Sequence, residues 1–199
     1  NINLLGKCNL DCFFCLGKDV CVNYDHLGIH FSCWAGLETF LARCDDLNIS
    51  KLYITGLNTD PLLYKYLREL VVYLQRLGYL VGIRTNGLLL DRPENIETCN
   101  ICQCSTGITI NSMSHITSGM ITGVRSVPNF ADITSKLIRP RISVVVNRCN
   151  EFEIWDTLKA ISTFKNIRYV QLRKPATDTR LQVLYPDMVS FERVYTMAR

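Results

Sequence analysis

The stretch Gly6-Lys7-Cys8-Asn9-Leu10-Asp11-Cys12-Phe13-Phe14-Cys15 follows a short apolar run at residues 2–5 and sets its cysteines at C-x3-C-x2-C spacing. The apolar run reads as a strand that Gly6 ends, so the cysteines stand on the loop beyond it. Three thiolates on one tight loop can bind three irons of a cubane [4Fe–4S] cluster and leave the fourth iron open. An open coordination position is what metal catalysis needs, as at three-ligand zinc sites. A structural zinc site wants four ligands, commonly as two separated pairs. Cys21 could be a fourth, but no second C-x2-C pair of matching form lies nearby. Packing as three metal-free cysteines fits poorly with the polar neighbours Asn9 and Asp11.

Outward from this loop, strands and helices alternate. Strands are expected at residues 51–55, 79–84, 107–110, 141–147 and 167–172, and helices at 34–47, 62–77, 130–137, 151–164 and 189–198. Residues 16–32 read as a long irregular loop, and 88–100 show no clear pattern. Six strands alternating with helices imply a parallel sheet with right-handed crossovers. Six such units are too few for a closed eight-stranded barrel, so an α/β partial (βα)6 barrel is expected, with its site at the C-terminal ends of the strands. The cysteine loop falls at that end.

The motif and its place resemble the radical S-adenosylmethionine (SAM) enzymes, whose C-x3-C-x-φ-C motif follows the first strand with an aromatic residue at φ, here Phe14. The resemblance covers roughly residues 1–175 and implies one core domain over 1–199. It also implies that Cys8, Cys12 and Cys15 hold a [4Fe–4S] cluster whose open iron is chelated by SAM. Reductive cleavage of SAM, fed by an electron donor such as flavodoxin or ferredoxin, would then give a 5′-deoxyadenosyl radical that abstracts hydrogen from a substrate. The family carries a Gly-Gly-Glu-type segment after the second strand that holds the SAM amino group. The matching stretch here is Thr55-Gly56-Leu57-Asn58-Thr59-Asp60-Pro61, with no second Gly and no Glu. Backbone at Gly56 and Leu57, and side chains at Asn58, Thr59 or Asp60, are the candidates to accept from the ammonium group; Thr59 or Asp60 capping the next helix is the alternative. Thr85-Asn86-Gly87 matches a recurrent Thr-Asn-Gly after the third strand. Asn111 and Ser112 at the end of the fourth strand and backbone near Val170 on the sixth complete the expected SAM surroundings, while Asn147 after the fifth reads as a turn residue that could also face the site. Arg173 and Lys174, at the end of that strand, could meet a carboxylate or phosphate.

The remaining features set bounds. Ten cysteines in 199 residues, about 5%, fall below the share typical of disulfide scaffolds. No secretory signal opens the chain and no apolar run reaches the roughly 18 residues that span a bilayer. A reduced, cytoplasmic setting is therefore expected. The missing initiating Met suggests a piece of a longer protein. A net charge of +4 permits an anionic cofactor or substrate and does not by itself indicate nucleic acid. Cys99, Cys102 and Cys104 invite a second-metal reading, but Cys104 should lie at the end of the sheet opposite the first loop. His26, His30 and His115 are scattered and read as loop or surface residues. Two other functions remain open on sequence: a structural or redox-sensing metal protein, and a degenerate fold serving as a binding module.

Overall fold

A computed structural model describes residues 1–19 and 24–175. In chain order its elements are β1 (Ile2–Leu4), α1 (Leu37–Asp46), β2 (Lys51–Gly56), α2 (Leu67–Arg76), β3 (Leu80–Thr85), α3 (Pro93–Asn100), β4 (Gly107–Thr109), α4 (His115–Thr122), α5 (Phe130–Lys136), β5 (Arg141–Val145), α6 (Ile154–Ser162) and β6 (Tyr169–Arg173). The six strands form one sheet in the order β1-β2-β3-β4-β5-β6, every neighbouring pair parallel. This is the expected open (βα)6 arrangement. The helix expected at residues 189–198 lies outside the described residues. Among those residues no helix is long and apolar enough to cross a membrane.

The two faces of the sheet differ in chemistry. Leu52 and Ile54 on β2, Val81 and Ile83 on β3, Ile108 on β4, and Ile142 and Val144 on β5 are almost wholly buried. They join Leu70, Val71 and Leu74 of α2 and Ile154 and Ile161 of α6 in one core. Burial of each such side chain contributes about 1.5–3 kcal/mol. The alternate positions, Tyr53, Thr55, Arg84, Thr109, Arg141 and Ser143, are polar or amphipathic and half-buried. With period-2 alternation, one face is thus apolar beneath helices while the other lines a cavity.

Helix boundaries depart from expectation where backbone geometry intervenes. The first helix begins at Leu37 because Gly36 takes a left-handed φ of 82°. Trp34 is extended instead, and its indole Nε1 donates to Ile29 O at 3.2 Å. The second helix is broken near its start: Pro61–Leu63 form one 3₁₀ turn, Tyr64 is extended, and α2 starts at Leu67. The patternless segment contains α3, which opens on Pro93, a residue preorganised for a first turn. The sequence reading did not anticipate α4. Ser114 caps it by accepting from Thr117 N, and Gly123 closes it at φ 74°.

Replacing Ile83 with Ala removes a fully buried side chain from the middle of the sheet. Urea titration of I83A should show a loss of about 2–5 kcal/mol.

Candidate active site at the cysteine loop

The loop leaving β1 is held from four directions. Leu5 N donates to His26 Nδ1 and His26 N donates to Leu5 O, both at 2.9 Å, which brackets the strand end. Burial pushes the His26 pKa down, so the neutral ring that this acceptor role needs is favoured. His26 is therefore a loop residue, as expected, with a definite structural task. From the β2 side, Asn58 Oδ1 accepts from Gly6 N at 3.0 Å and Thr59 Oγ1 donates to Lys7 O at 3.2 Å. From the β3 side, Asn86 Nδ2 donates to Asn9 Oδ1 at 2.8 Å and lies 4.0 Å from Cys8 Sγ. From α4, Thr122 O accepts from Asp11 N at 2.7 Å and Ile121 O from Phe13 N at 3.2 Å.

Cys8, Cys12 and Cys15 all border a cavity of about 620 Å³ over the C-terminal ends of the strands. Phe14, Gly56, Leu57, Thr59, Asn86, Asn111 and Ser112 line the same cavity. Asn58 instead lines an adjoining cleft, which the cysteines also border. Burial pushes the Cys12 thiol up to about 12, with further rises from negative charge on Cys15 and Cys8. Burial likewise raises Cys8, opposed by the hydrogen bond from Leu10 N. Three thiolates here would repel one another unless a cation were shared among them. Among the described residues, no three His, Cys, Asp or Glu side chains converge as ligands of a single ion.

The turn after β2 is compact. A Cβ on Gly56 would fall 1.7 Å from Thr59 O, so a glycine is needed for that approach. Leu57 N donates to Leu4 O at 2.9 Å and extends the β1–β2 ladder to the loop. Asp60, only 3% exposed, accepts from Leu62 N (2.9 Å), Asn86 N (2.7 Å) and Thr85 Oγ1 (2.9 Å to each oxygen). Burial raises its pKa, while the bonds from Asn86, Leu62 and Thr85 oppose that rise. The capping alternative thus describes Asp60, whereas Thr59 turns to the cysteine loop.

No family model matches the chain. A curated relative, the S-adenosylmethionine-dependent nucleotide dehydratase of the Thermoplasmatales archaeon (strain ISO4-H5), is 29% identical over 90 residues, 45% of this chain and 29% of that protein. Streptococcus suis SuiB bound to precursor peptide SuiA superposes with a TM-score of 0.68 at 17% identity, over 88% of this chain and 38% of that one. TYW1 with a lysine-pyruvate adduct bound superposes with a TM-score of 0.66 at 21% identity, over 96% of this chain and 68% of that one. The likeness to these two structures shows a shared fold, the parallel (βα)6 core described above. The chain spans under a third of the curated relative's length.

Within this fold the other expected positions are distributed as follows. Asn111 Oδ1 accepts from Val145 N at 3.1 Å, and Asn150 Nδ2 donates to Asn111 O at 2.7 Å. Ser112 Oγ accepts from Ser114 N at 2.8 Å and donates to Glu153 Oε1, while Thr117 Oγ1 donates to Glu153 Oε2 at 2.9 Å. Asn147 is fully buried and accepts from Cys149 N, a turn role. Val170 pairs with Ile142 on the apolar face, while Gln171 and Arg173 line the cavity. Backbone is therefore what Val170 can offer a ligand there. Cys99 and Cys102 are raised by burial, and Cys104 N bonds Val81 O at the start of β3, far along the strand from the cysteine loop. The sequence reading missed α4 and the cavity-facing Arg84 and Arg141, whereas Arg173 stood out by its place at the end of β6. Ser114 and Gly123, nine residues apart, were the available signal for the helix.

Asp60→Asn replaces one of two accepting oxygens with a donor facing the Asn86 or Thr85 donors. D60N should lose about 1–3 kcal/mol in chemical denaturation.

Proposed function

We propose that this chain is the catalytic core of a radical SAM enzyme, with Cys8, Cys12 and Cys15 as ligands of a [4Fe–4S] cluster and SAM seated in the adjoining cavity. The observation that carries the reading is the meeting of the three thiols with one cavity at the C-terminal ends of a parallel sheet. The donor set fits a cluster better than a lone ion. Each thiolate on a cubane binds a different iron, so convergence on one point is not required. The mutual charge effects between these thiols are what shared iron would relieve. When bound, the cluster supplies the electron for reductive cleavage of SAM and an open iron for its amino and carboxylate groups.

The chain's own residues position and enclose. Gly56 and Leu57 present backbone beside Cys15, whose Sγ lies 3.9 Å from Leu57 O. Asn58 and Thr59, already engaged with Gly6 and Lys7, fix the cysteine loop, so the SAM ammonium group is left to carbonyl groups of this turn. Phe14, Asn86, Asn111 and Ser112 line the cavity that the cysteines border. An electron donor of flavodoxin or ferredoxin type, and a reducing cytoplasmic setting, belong to this reading. A single core domain belongs to the same reading, with residues 176–199 of that expected span outside the described residues.

Anaerobic reconstitution with iron and sulfide, followed by dithionite and SAM, tests it. The protein should form 5′-deoxyadenosine, and Cys12→Ala should abolish both the product and the cluster's visible absorbance. A full cluster that leaves SAM intact would instead identify a sensor or binding module.

A further inference from the structure

Arg84, Arg141 and Arg173 all border the cavity. The first two lie at one level of the sheet: Thr55 is in register with Arg84, Arg84 with Gly107, and Gly107 with Arg141. Gly107 makes room between them. A Cβ there would fall 2.8 Å from Arg141 Nε and 3.0 Å from its Nη2. The Tyr53 ring takes both cations on its π system, with Arg84 Cζ at 4.6 Å and Arg141 Cζ at 5.5 Å from its centroid. Arg173 lies on the same face, nearer the strand ends, in register with Val145.

Among the described residues these charges have no counterion. The ion pairs among the described residues all lie elsewhere. Arg141 Nη1 donates to Tyr169 OH at 3.3 Å, yet Arg84 Nε, Arg141 Nε and the neighbouring Ser143 Oγ are buried with no hydrogen-bond partner. Asp60, a carboxylate on the cavity wall, is already saturated by Leu62, Thr85 and Asn86. Burial and the charges of Arg141 and Arg173 pull the Arg84 pKa down, as like charges held together must. A cation–π stack alone accounts for the Tyr53 contacts and leaves the buried donors unexplained. Donors unsatisfied in a buried position are costly, and a ligand that accepts from them removes the cost.

We propose that Arg84, Arg141 and Arg173, with Ser143, bind a phosphate group of a small-molecule substrate on the sheet floor below the cysteine loop. The guanidinium fork matches phosphate oxygens in pairs, and three positive charges suit a group carrying about −1.5 to −2 rather than a single carboxylate. The site shares the cavity assigned to SAM and lies one residue further down the strands than Gly56 and Thr85. Arg84 and Arg141 sit at the level of Thr55, within the strands, whereas the thiols stand past the strand ends. The word substrate rests on the radical SAM reading; the anion site does not.

Calorimetric titration of the purified protein with inorganic pyrophosphate, without SAM, tests the site directly, with citrate as the carboxylate arm. Pyrophosphate should bind and citrate should bind at least ten-fold more weakly. Arg84→Gln and Arg141→Gln should each weaken pyrophosphate at least ten-fold, and Arg173→Gln, at an exposed position with little bearing on folding, several-fold. Lys136→Gln, on the surface, serves as the control. Absence of pyrophosphate binding, equal affinity for citrate, or indifference of all three variants would overturn the proposal. So would a parallel loss of SAM affinity, titrated separately, because it would assign the arginines to the SAM carboxylate. Arginine-dependent pyrophosphate binding in a protein that never cleaves SAM would sink the radical SAM reading and leave the phosphate site standing.

Discussion

The Asp60 carboxylate is the constraint on which the site depends. A carboxylate so buried is tolerable only when donors surround it, and here they come from two different strand ends. Leu62 N belongs to the turn after β2; Thr85 Oγ1 and Asn86 N belong to the turn after β3. Their common acceptor fixes the two turns relative to each other. Asn86 is thereby aimed at Asn9 and Cys8, while Asn58 and Thr59, just before Asp60, reach Gly6 and Lys7. The cysteine loop has little regular structure of its own, so its shape is borrowed from these neighbours and from the last carbonyls of α4.

The same economy governs the sheet. Its outer face is a continuous apolar layer under the helices, and its inner face carries no comparable run of large aliphatic groups. A closed barrel fills its interior with packed branched side chains. This open one keeps tyrosine, arginine, serine and threonine there instead, with glycine at the two places where Tyr53 and Arg141 lie flat against the backbone. The cavity exists because the inner positions are polar, charged or absent.

Much of this was legible in the sequence. Six strands, their parallel arrangement and the position of the cysteine loop followed from apolar periodicity and spacing. Helix limits were less so, because Gly36 and Tyr64 interrupt runs whose apolar pattern continues through them. α4 was hidden by its mixed composition: Ile116 and Met120 are exposed, so no clean apolar stripe announces it. Arg84 and Arg141 escaped notice for a general reason. A strand face that lines a cavity has the same alternation as one that meets solvent, and the sequence does not say which. Asn58 and Thr59 stood out correctly by position, but their partners, fifty-two residues earlier in the chain, are a tertiary fact.

The sheet order carries a consequence for how the molecule comes together. Each strand pairs with the strand immediately before it, so the sheet can be laid down in the order of synthesis without rearranging any earlier pairing. The cysteine loop precedes in the chain the groups that fix it, which arrive with Asn58, Asn86 and finally Thr122. Until Asn86 and α4 are in place, the loop has only the His26, Asn58 and Thr59 contacts to hold it. The loop closes into its final shape when α4 docks, which makes the completion of the fourth βα unit the moment at which the site acquires its geometry.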